Sequence, residues 1–319
     1  MSTQPGNKIQ QKLIRGAVPV LCMPFEANGA VDVDSLLREI DFCVEAGSQA
    51  IAFGKGSESP ELTDHERKTV WTAASRHLNG QLPLVVATAH PSHEGVIALT
   101  QLALDCGADC AMVDPDQKKG EELIRLFREL ASRVDLSIML QDAGGNAPVP
   151  IMLQAVRESP TINCMKIECP GTPNKMAEVI NSLREIKMSD GVGRTVDILG
   201  GGNGNLLLEE LDRGSVGTLP YPALIDAFRS VCDLYSSGNT GGAWECYLQQ
   251  ILPLSRLVAS GGPMGGDIWM HKTIFERAGI LRTNVCRRES QPQPAWVVEK
   301  VWAHLKVSDL LISKLLAGK

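Results

Sequence analysis

The feature that most constrains this chain is a repeated alternation of two patterns. A short apolar run rich in β-branched residues is followed each time by a longer stretch whose apolar residues recur every three or four positions. Eight such runs stand at residues 18–23, 50–54, 84–88, 110–113, 136–141, 162–167, 196–199 and 215–219. Strands that are apolar on both faces and separated by amphipathic helices form a parallel sheet covered by those helices, and eight units close it into a (β/α)8 TIM barrel. Helical periodicity is clearest in Leu36, Leu37, Ile40 and Val44, and again in Leu123, Leu126, Phe127 and Leu130. Thr63-Asp64-His65-Glu66 has the form of a capping box, so a helix is expected to start there. Gly47, Gly107 and Gly214 each follow a helical stretch and precede a strand, where a left-handed residue closes the helix.

After the eighth run the strand pattern stops. From about Leu224 onward the chain reads as helices, broken by Gly261-Gly262-Pro263 and by the 292–294 segment. The expected organisation is a loose leader over 1–11, the barrel over 12–223, and a last barrel helix with a C-terminal helical extension over 224–319. A length of 319 residues suits this, since one barrel closes a single core around about 250 residues. No run approaches the roughly 20 apolar residues that span a bilayer, so no membrane partner is expected. Residues 1–11 lack the apolar core of a secretory signal. A net charge of -6 argues against nucleic acid as a partner but leaves room for a local anion site. The nine cysteines include no Cys-x-x-Cys pair and mostly sit inside apolar runs, which points to a reducing, cytoplasmic setting.

In such barrels the chemistry sits where the strands end at their C-terminal side. Polar residues at those places are Lys55, Ser57 and Glu58 after the second run, His90 and His93 after the third, and Asp114 after the fourth. Gln141 and Asp142 end the fifth, Lys166 and Glu168 the sixth, and Gly200 to Gly204 follow the seventh. Lys166 is the most informative, because it stands inside the apolar run Ile162-Asn163-Cys164-Met165-Lys166-Ile167. Burial favours the neutral form of an amine and so makes it a nucleophile, while the plainer reading is a lysine paired with Glu168. The glycine-rich stretch leads into Leu206-Leu207-Leu208, so its N–H groups could face an anion, or it is only a turn. His90 and His93, with Asp114 or Cys110, could hold a divalent metal; the other reading is a loop that caps the third helix through Ser92. Glu58 reads either as a general base or as a carboxylate accepting loop N–H groups.

These residues resemble those of a known family, the dihydrodipicolinate synthase and N-acetylneuraminate lyase group of class I aldolases. Four segments carry the resemblance: Gly16 to Phe25 with Asn28-Gly29, the loop Gly54-Lys55-Gly56-Ser57-Glu58-Ser59-Pro60-Glu61-Leu62, the strand Cys164-Met165-Lys166-Ile167-Glu168, and the turn at Gly202. The resemblance implies that Lys166 forms a Schiff base with a 2-oxo acid, that Gly56, Ser57, Glu58, Gln141 and Gly202 surround that substrate, and that neither metal nor cofactor takes part. It also implies a homo-oligomer, a dimer of dimers, for which Leu252, Leu254, Leu257 and Val258 offer apolar surface. The departures are informative. The family's paired hydroxyls are replaced by Lys55-Gly56, its strand-five tyrosine by Gln141, and its second tyrosine falls in Asp114-Pro115-Asp116-Gln117-Lys118, which has none. A lyase or dehydratase for another 2-oxo acid, such as a 2-keto-3-deoxy sugar acid, is therefore expected rather than the synthase. The competing expectations are a metal-dependent barrel aldolase using His90 and His93, and a non-catalytic relative that binds a 2-oxo acid.

Overall fold

A computed structural model describes residues 12–115, 118–190, 195–260 and 266–318. The expected leader and the Gly261-Gly262-Pro263 break lie outside them. Eight strands occur in the order β1 (Gly16–Ala17), β2 (Ile51–Phe53), β3 (Leu84–Ala87), β4 (Cys110–Val113), β5 (Ser137–Asp142), β6 (Ile162–Ile167), β7 (Asp197–Leu199) and β8 (Gly217–Thr218). A helix follows each: α1 (Val33–Glu45), α2 (Asp64–Leu78), α3 (His93–Asp105), α4 (Gly120–Arg133), α5 (Val149–Glu158), α6 (Thr172–Asp190), α7 (Leu207–Asp212) and α8 (Ile225–Ser236). Among the described residues five more α-helices follow: α9 (Thr240–Cys246), α10 (Leu252–Ser260), α11 (Gly266–Ala278), α12 (Ala295–Val307) and α13 (Leu311–Ala317).

Strands β2 to β7 pair in sequence order, all parallel, and β1 pairs with β8. Hydrogen bonds join the two groups and close the barrel. On one side Leu21 N–H donates to Ala52 O at 3.0 Å and Ala52 N–H to Pro19 O at 2.9 Å; on the other Gly200 N–H donates to Gly217 O at 2.9 Å and Leu219 N–H to Gly200 O at 3.1 Å. The first strand was expected at 18–23, but its regular ladder lies earlier, at Gly16–Ala17, with an isolated bridge at Val20. Pro19 interrupts the run because a proline has no N–H to give to a ladder.

Two apolar clusters show how the strands are read from both sides. Val18, Val20, Ala52, Val85, Cys110, Met112, Met139, Cys164 and Leu199 fill the barrel interior, whereas Ile51, Phe53, Ala111, Val113, Met165 and Ile167 face the helices. This is the period-2 alternation of a strand buried on both faces. The helix boundaries follow local chemistry. Thr63 Oγ1 accepts from Glu66 N–H at 3.3 Å while Thr63 N–H donates to the Glu66 carboxylate at 2.9 Å, the reciprocal pairing that starts α2. Gly47, Gly107 and Gly214 close their helices at φ 83°, 84° and 100°.

Helices α9 to α13 form the C-terminal extension, and part of it returns over the barrel mouth. Three arginines between α11 and α12 tie it to the N-terminal half: Arg282 lies 2.8 Å from Asp32, Arg288 lies 2.9 Å from Glu61, and Arg287 pairs with Glu66. Leu254 and Val258, expected as surface for a partner, are buried within the chain at 1% and 4% exposure, and Leu252 and Leu257 are half-buried. The large apolar side chains left exposed on the extension are Trp244, Leu248, Trp296, Val307 and Leu315. Among the described residues no helix is long and apolar enough to cross a membrane.

Candidate active site

A cavity of about 390 Å³ opens at the C-terminal ends of the strands. Its floor is the top of the packed interior, and its walls come from β2, β5, β6, the glycine loop after β7, the turn after β8, and helices α10 and α11. Lys166 stands at its base. The register of the sheet pairs Gln141 of β5 with Lys166 of β6, and Lys166 with Leu199 of β7. Residues directly opposite in neighbouring strands project to the same face, so Gln141 and Lys166 enter the barrel together, one step above Cys164 of the interior cluster. Lys166 is only 6% exposed.

Glu168 is the hub of this group. One carboxylate oxygen accepts from Lys166 Nζ at 2.9 Å and from Gln141 Nε2 at 2.8 Å, and the other accepts from Gly202 N–H at 3.0 Å. Burial works to raise the Glu168 carboxyl, but the adjacent Lys166 charge and the three donors outweigh it and hold the group below its ordinary value. The Gly202 N–H is therefore engaged by a side chain of the protein, not turned toward open space. Gly201 is required by the same crowding, because a Cβ there would lie 2.8 Å from Lys166 Cε and 2.1 Å from Glu168 Oε2. The loop continues through Gly202, Asn203 and Gly204, all in the left-handed region at φ 56°, 56° and 69°. Tyr247 anchors its far end, its hydroxyl lying 2.7 Å from Asn205 O.

The second loop divides its residues between two sides. Lys55 and Gly56 line the cavity, with Lys55 Nζ 2.7 Å from Asp114 Oδ2. Ser57 and Glu58 do not line it. Ser57 is fully buried and its Oγ accepts from Gly54 N–H at 3.1 Å. Glu58, at left-handed φ 50°, is fully buried against Lys272 of α11 and accepts from Arg288 N–H at 2.7 Å. Glu58 thus joins the loop to the extension. The expected histidines also sit apart from Lys166: His90 Nδ1 accepts from Ser92 N–H at 3.0 Å, and His93 Nε2 lies 3.1 Å from Glu129 Oε2 on α4. Ser92 caps α3, accepting from Gly95 N–H at 3.1 Å. Among the described residues no group of three or more His, Cys, Asp or Glu is placed to hold a metal ion. Gln117, at the family's second tyrosine position, lies outside the described residues.

Tyr221 and Asp267, both absent from the sequence-based site, also line the cavity. Tyr221 follows β8, its hydroxyl 3.3 Å from Asp267 Oδ2 of α11 and its ring stacked on His271 at 4.4 Å between centroids. Its backbone N–H is held by Asn203 Oδ1 at 3.0 Å, which couples the turn after β8 to the glycine loop. Gly56 makes room for the ring, since a Cβ there would meet Tyr221 Cε1 at 2.9 Å. The strand-end rule could have found Tyr221 had it been carried past the seventh strand. Asp267 carries no such signal, because only packing brings α11 to the mouth.

A closed parallel barrel with a buried lysine at the C-terminal end of its sixth strand defines a (β/α)8 protein with a lysine-centred cavity. The chain belongs to the dihydrodipicolinate synthetase family, whose profile matches residues 13–301. It is 27% identical over 250 residues to L-2-keto-3-deoxyarabonate dehydratase of Azospirillum brasilense, covering 75% of this chain and 78% of that protein. It is 30% identical over 252 residues to 4-hydroxy-tetrahydrodipicolinate synthase of Pseudomonas putida, covering 76% and 82%. The fold is shared with the crystal structure of dihydrodipicolinate synthase from Thermotoga maritima, at a TM-score of 0.82 and 20% identity over 95% of this chain and 99% of that one.

Proposed function

We propose that this protein is a class I lyase whose Lys166 forms a Schiff base with a 2-oxo acid, and that the substrate is a hydroxylated acid of the 2-keto-3-deoxy sugar type. The observation that carries the reading is the placement of Lys166, a nearly buried amine at the base of a polar-walled cavity, paired with Glu168. In the neutral form the Lys166 nitrogen adds to the 2-oxo carbon, and loss of water leaves an iminium. Its positive nitrogen then draws electrons from the next carbon, which allows proton loss, elimination or carbon–carbon cleavage through an enamine. Lys55 at the mouth and the amides of Gln141, Asn203 and Asn205 offer charge and hydrogen bonds to a carboxylate and hydroxyl groups. The similarity to a 2-keto-3-deoxyarabonate dehydratase supports dehydration. The absence of a tyrosine at Gln141 favours a reaction other than that of the synthases.

Gly56, Gln141 and Gly202 are assigned to the substrate wall, while Ser57 and Glu58 support the loop that carries Gly56. A homo-oligomer of the dimer-of-dimers kind and a cytoplasmic setting belong to the same proposal, the latter because all nine cysteines are unpaired. Borohydride reduction in the presence of a panel of 2-oxo acids, read by intact mass and peptide mapping, tests the core of it. A single adduct on Lys166, lost in Lys166→Ala, is expected. Turnover persisting in Lys166→Ala without any adduct would end the Schiff-base reading, and an adduct on Lys55 would move it to the other lysine of the cavity.

A further inference from the structure

The lysine site lacks a phenol on strand five, and Glu168 makes a poor proton acceptor. Both of its oxygens are engaged by Lys166, Gln141 and Gly202, and these contacts stabilise the carboxylate. An enamine mechanism still has to take a proton from the carbon next to the iminium and return one later. The cavity contains one other route. Of the three tyrosines in the chain, Tyr221 alone lines it; Tyr235 bonds Asp212 on the outer helices and Tyr247 bonds the backbone of the glycine loop. The Tyr221 hydroxyl donates to Asp267, an exposed carboxylate in contact with solvent. Stacking on His271 fixes the ring and the bare Gly56 backbone leaves it space.

We propose that Tyr221 and Asp267 form the proton relay of the Lys166 site, carrying protons between the substrate carbon and water along a line from the turn after strand eight to the C-terminal extension. The inference rests on the Schiff-base reading and names its proton carrier. When the C3–H bond of the iminium breaks, its electron pair becomes the C2=C3 bond of the enamine and the C=N π pair returns to the Lys166 nitrogen. The proton lands on the Tyr221 oxygen as that oxygen's own proton passes to the Asp267 carboxylate, which releases it to water. Run backward, the relay supplies a proton to the substrate. The transfer is concerted because burial, with the Asp267 charge, pushes the Tyr221 phenol up, so a free phenolate is not formed at neutral pH.

Pyruvate in D₂O separates the steps without knowledge of the natural substrate. Exchange of its methyl protons, followed by proton NMR, reads the carbon–hydrogen step, and borohydride trapping at equilibrium reads the iminium. In Tyr221→Phe, which keeps the ring and its stacking, the adduct should form to the same extent while exchange falls by about 10²-fold or more, the usual worth of a positioned acid–base group. Asp267→Asn should keep the adduct and slow exchange by roughly tenfold, since water can replace the outer acceptor. Exchange in Tyr221→Phe within threefold of the unaltered protein overturns the relay and leaves Lys166 chemistry intact. Loss of the adduct along with exchange in that variant also overturns it, by making Tyr221 a residue that shapes the pocket. Failure of the unaltered protein to form any adduct removes the Schiff-base reading and the relay together.

Discussion

Four acidic side chains, three buried and one half-buried, illustrate how environment, not residue type, assigns a role. Glu168 is held low by a lysine and two N–H donors, and Glu58 is locked against Lys272 with neither side chain exposed. Glu39 accepts from the Cys22 N–H at 2.7 Å, and its other oxygen has no partner among the described residues, so burial drives its carboxyl up to about 8. Glu210 behaves similarly, raised to about 8 by burial and by the charges of Glu209 and Glu168. Both therefore favour the protonated form in the folded protein at pH 7. An unfolded carboxyl titrates near about 4.3, so between that value and about 8 the folded chain binds more protons than the unfolded one. Stability therefore falls as pH rises through this window, by at most about 1.4 kcal/mol per pH unit for each group. Urea unfolding at pH 5 and pH 8 should show a lower midpoint at pH 8. Glu39→Gln, which imitates the protonated form, should reduce the difference, and an unchanged difference would contradict the assignment.

At the scale of elements, the loop after β7 shows why its composition is so unusual. Gly201 has extended backbone and is bare for space, because Lys166 and Glu168 occupy the position of its missing Cβ, whereas Gly202 is bare for backbone angle and Gly204 for both reasons. The two requirements predict different failures. Gly201→Ala can keep its backbone but forces apart Lys166 and Glu168, so it should fold with little loss of stability and form the borohydride adduct at least about tenfold more slowly, given how steeply such chemistry depends on position. Adduct formation at the unaltered rate would mean that the two side chains relax freely. The extension shows the converse, an element whose function is positional. Helix α11 contributes Asp267 to the cavity and Lys272 to the Glu58 pair, so one helix links the loop after β2 to the cavity wall.

At the scale of the whole molecule, the barrel supplies a rigid cup and the extension supplies part of its rim. The family resemblance implied a homo-oligomer for which Leu252, Leu254, Leu257 and Val258 offered apolar surface, but Leu254 and Val258 are consumed in joining the extension to the rest of the chain. The apolar side chains that the extension leaves exposed instead include Trp244, at 38%, Leu248 and Trp296, both at 49%, and Val307, at 83%. If a homo-oligomer forms, these are the groups it should cover. Light scattering at micromolar concentration should give a mass well above 34.4 kDa, and a monomer would refute that part of the proposal. Much of the architecture was legible beforehand. Strand and helix alternation, the Thr63 capping box, the glycine stops and the placement of Lys166 inside an apolar strand are local properties, fixed by spacing and by what each residue can hydrogen-bond. The adjacency of Gln141 and Lys166 needed only the parallel register that such a pattern imposes. What the sequence could not give was every pairing made across the fold: Glu58 with Lys272, Tyr221 with Asp267, and Gly202 with Glu168. A carboxylate or phenol looks alike in sequence whether it faces a substrate or a neighbouring helix. Only closure of the barrel and the return of the extension across its mouth decide which partner lies within hydrogen-bond reach, because those contacts join residues far apart in the chain and no local pattern records them.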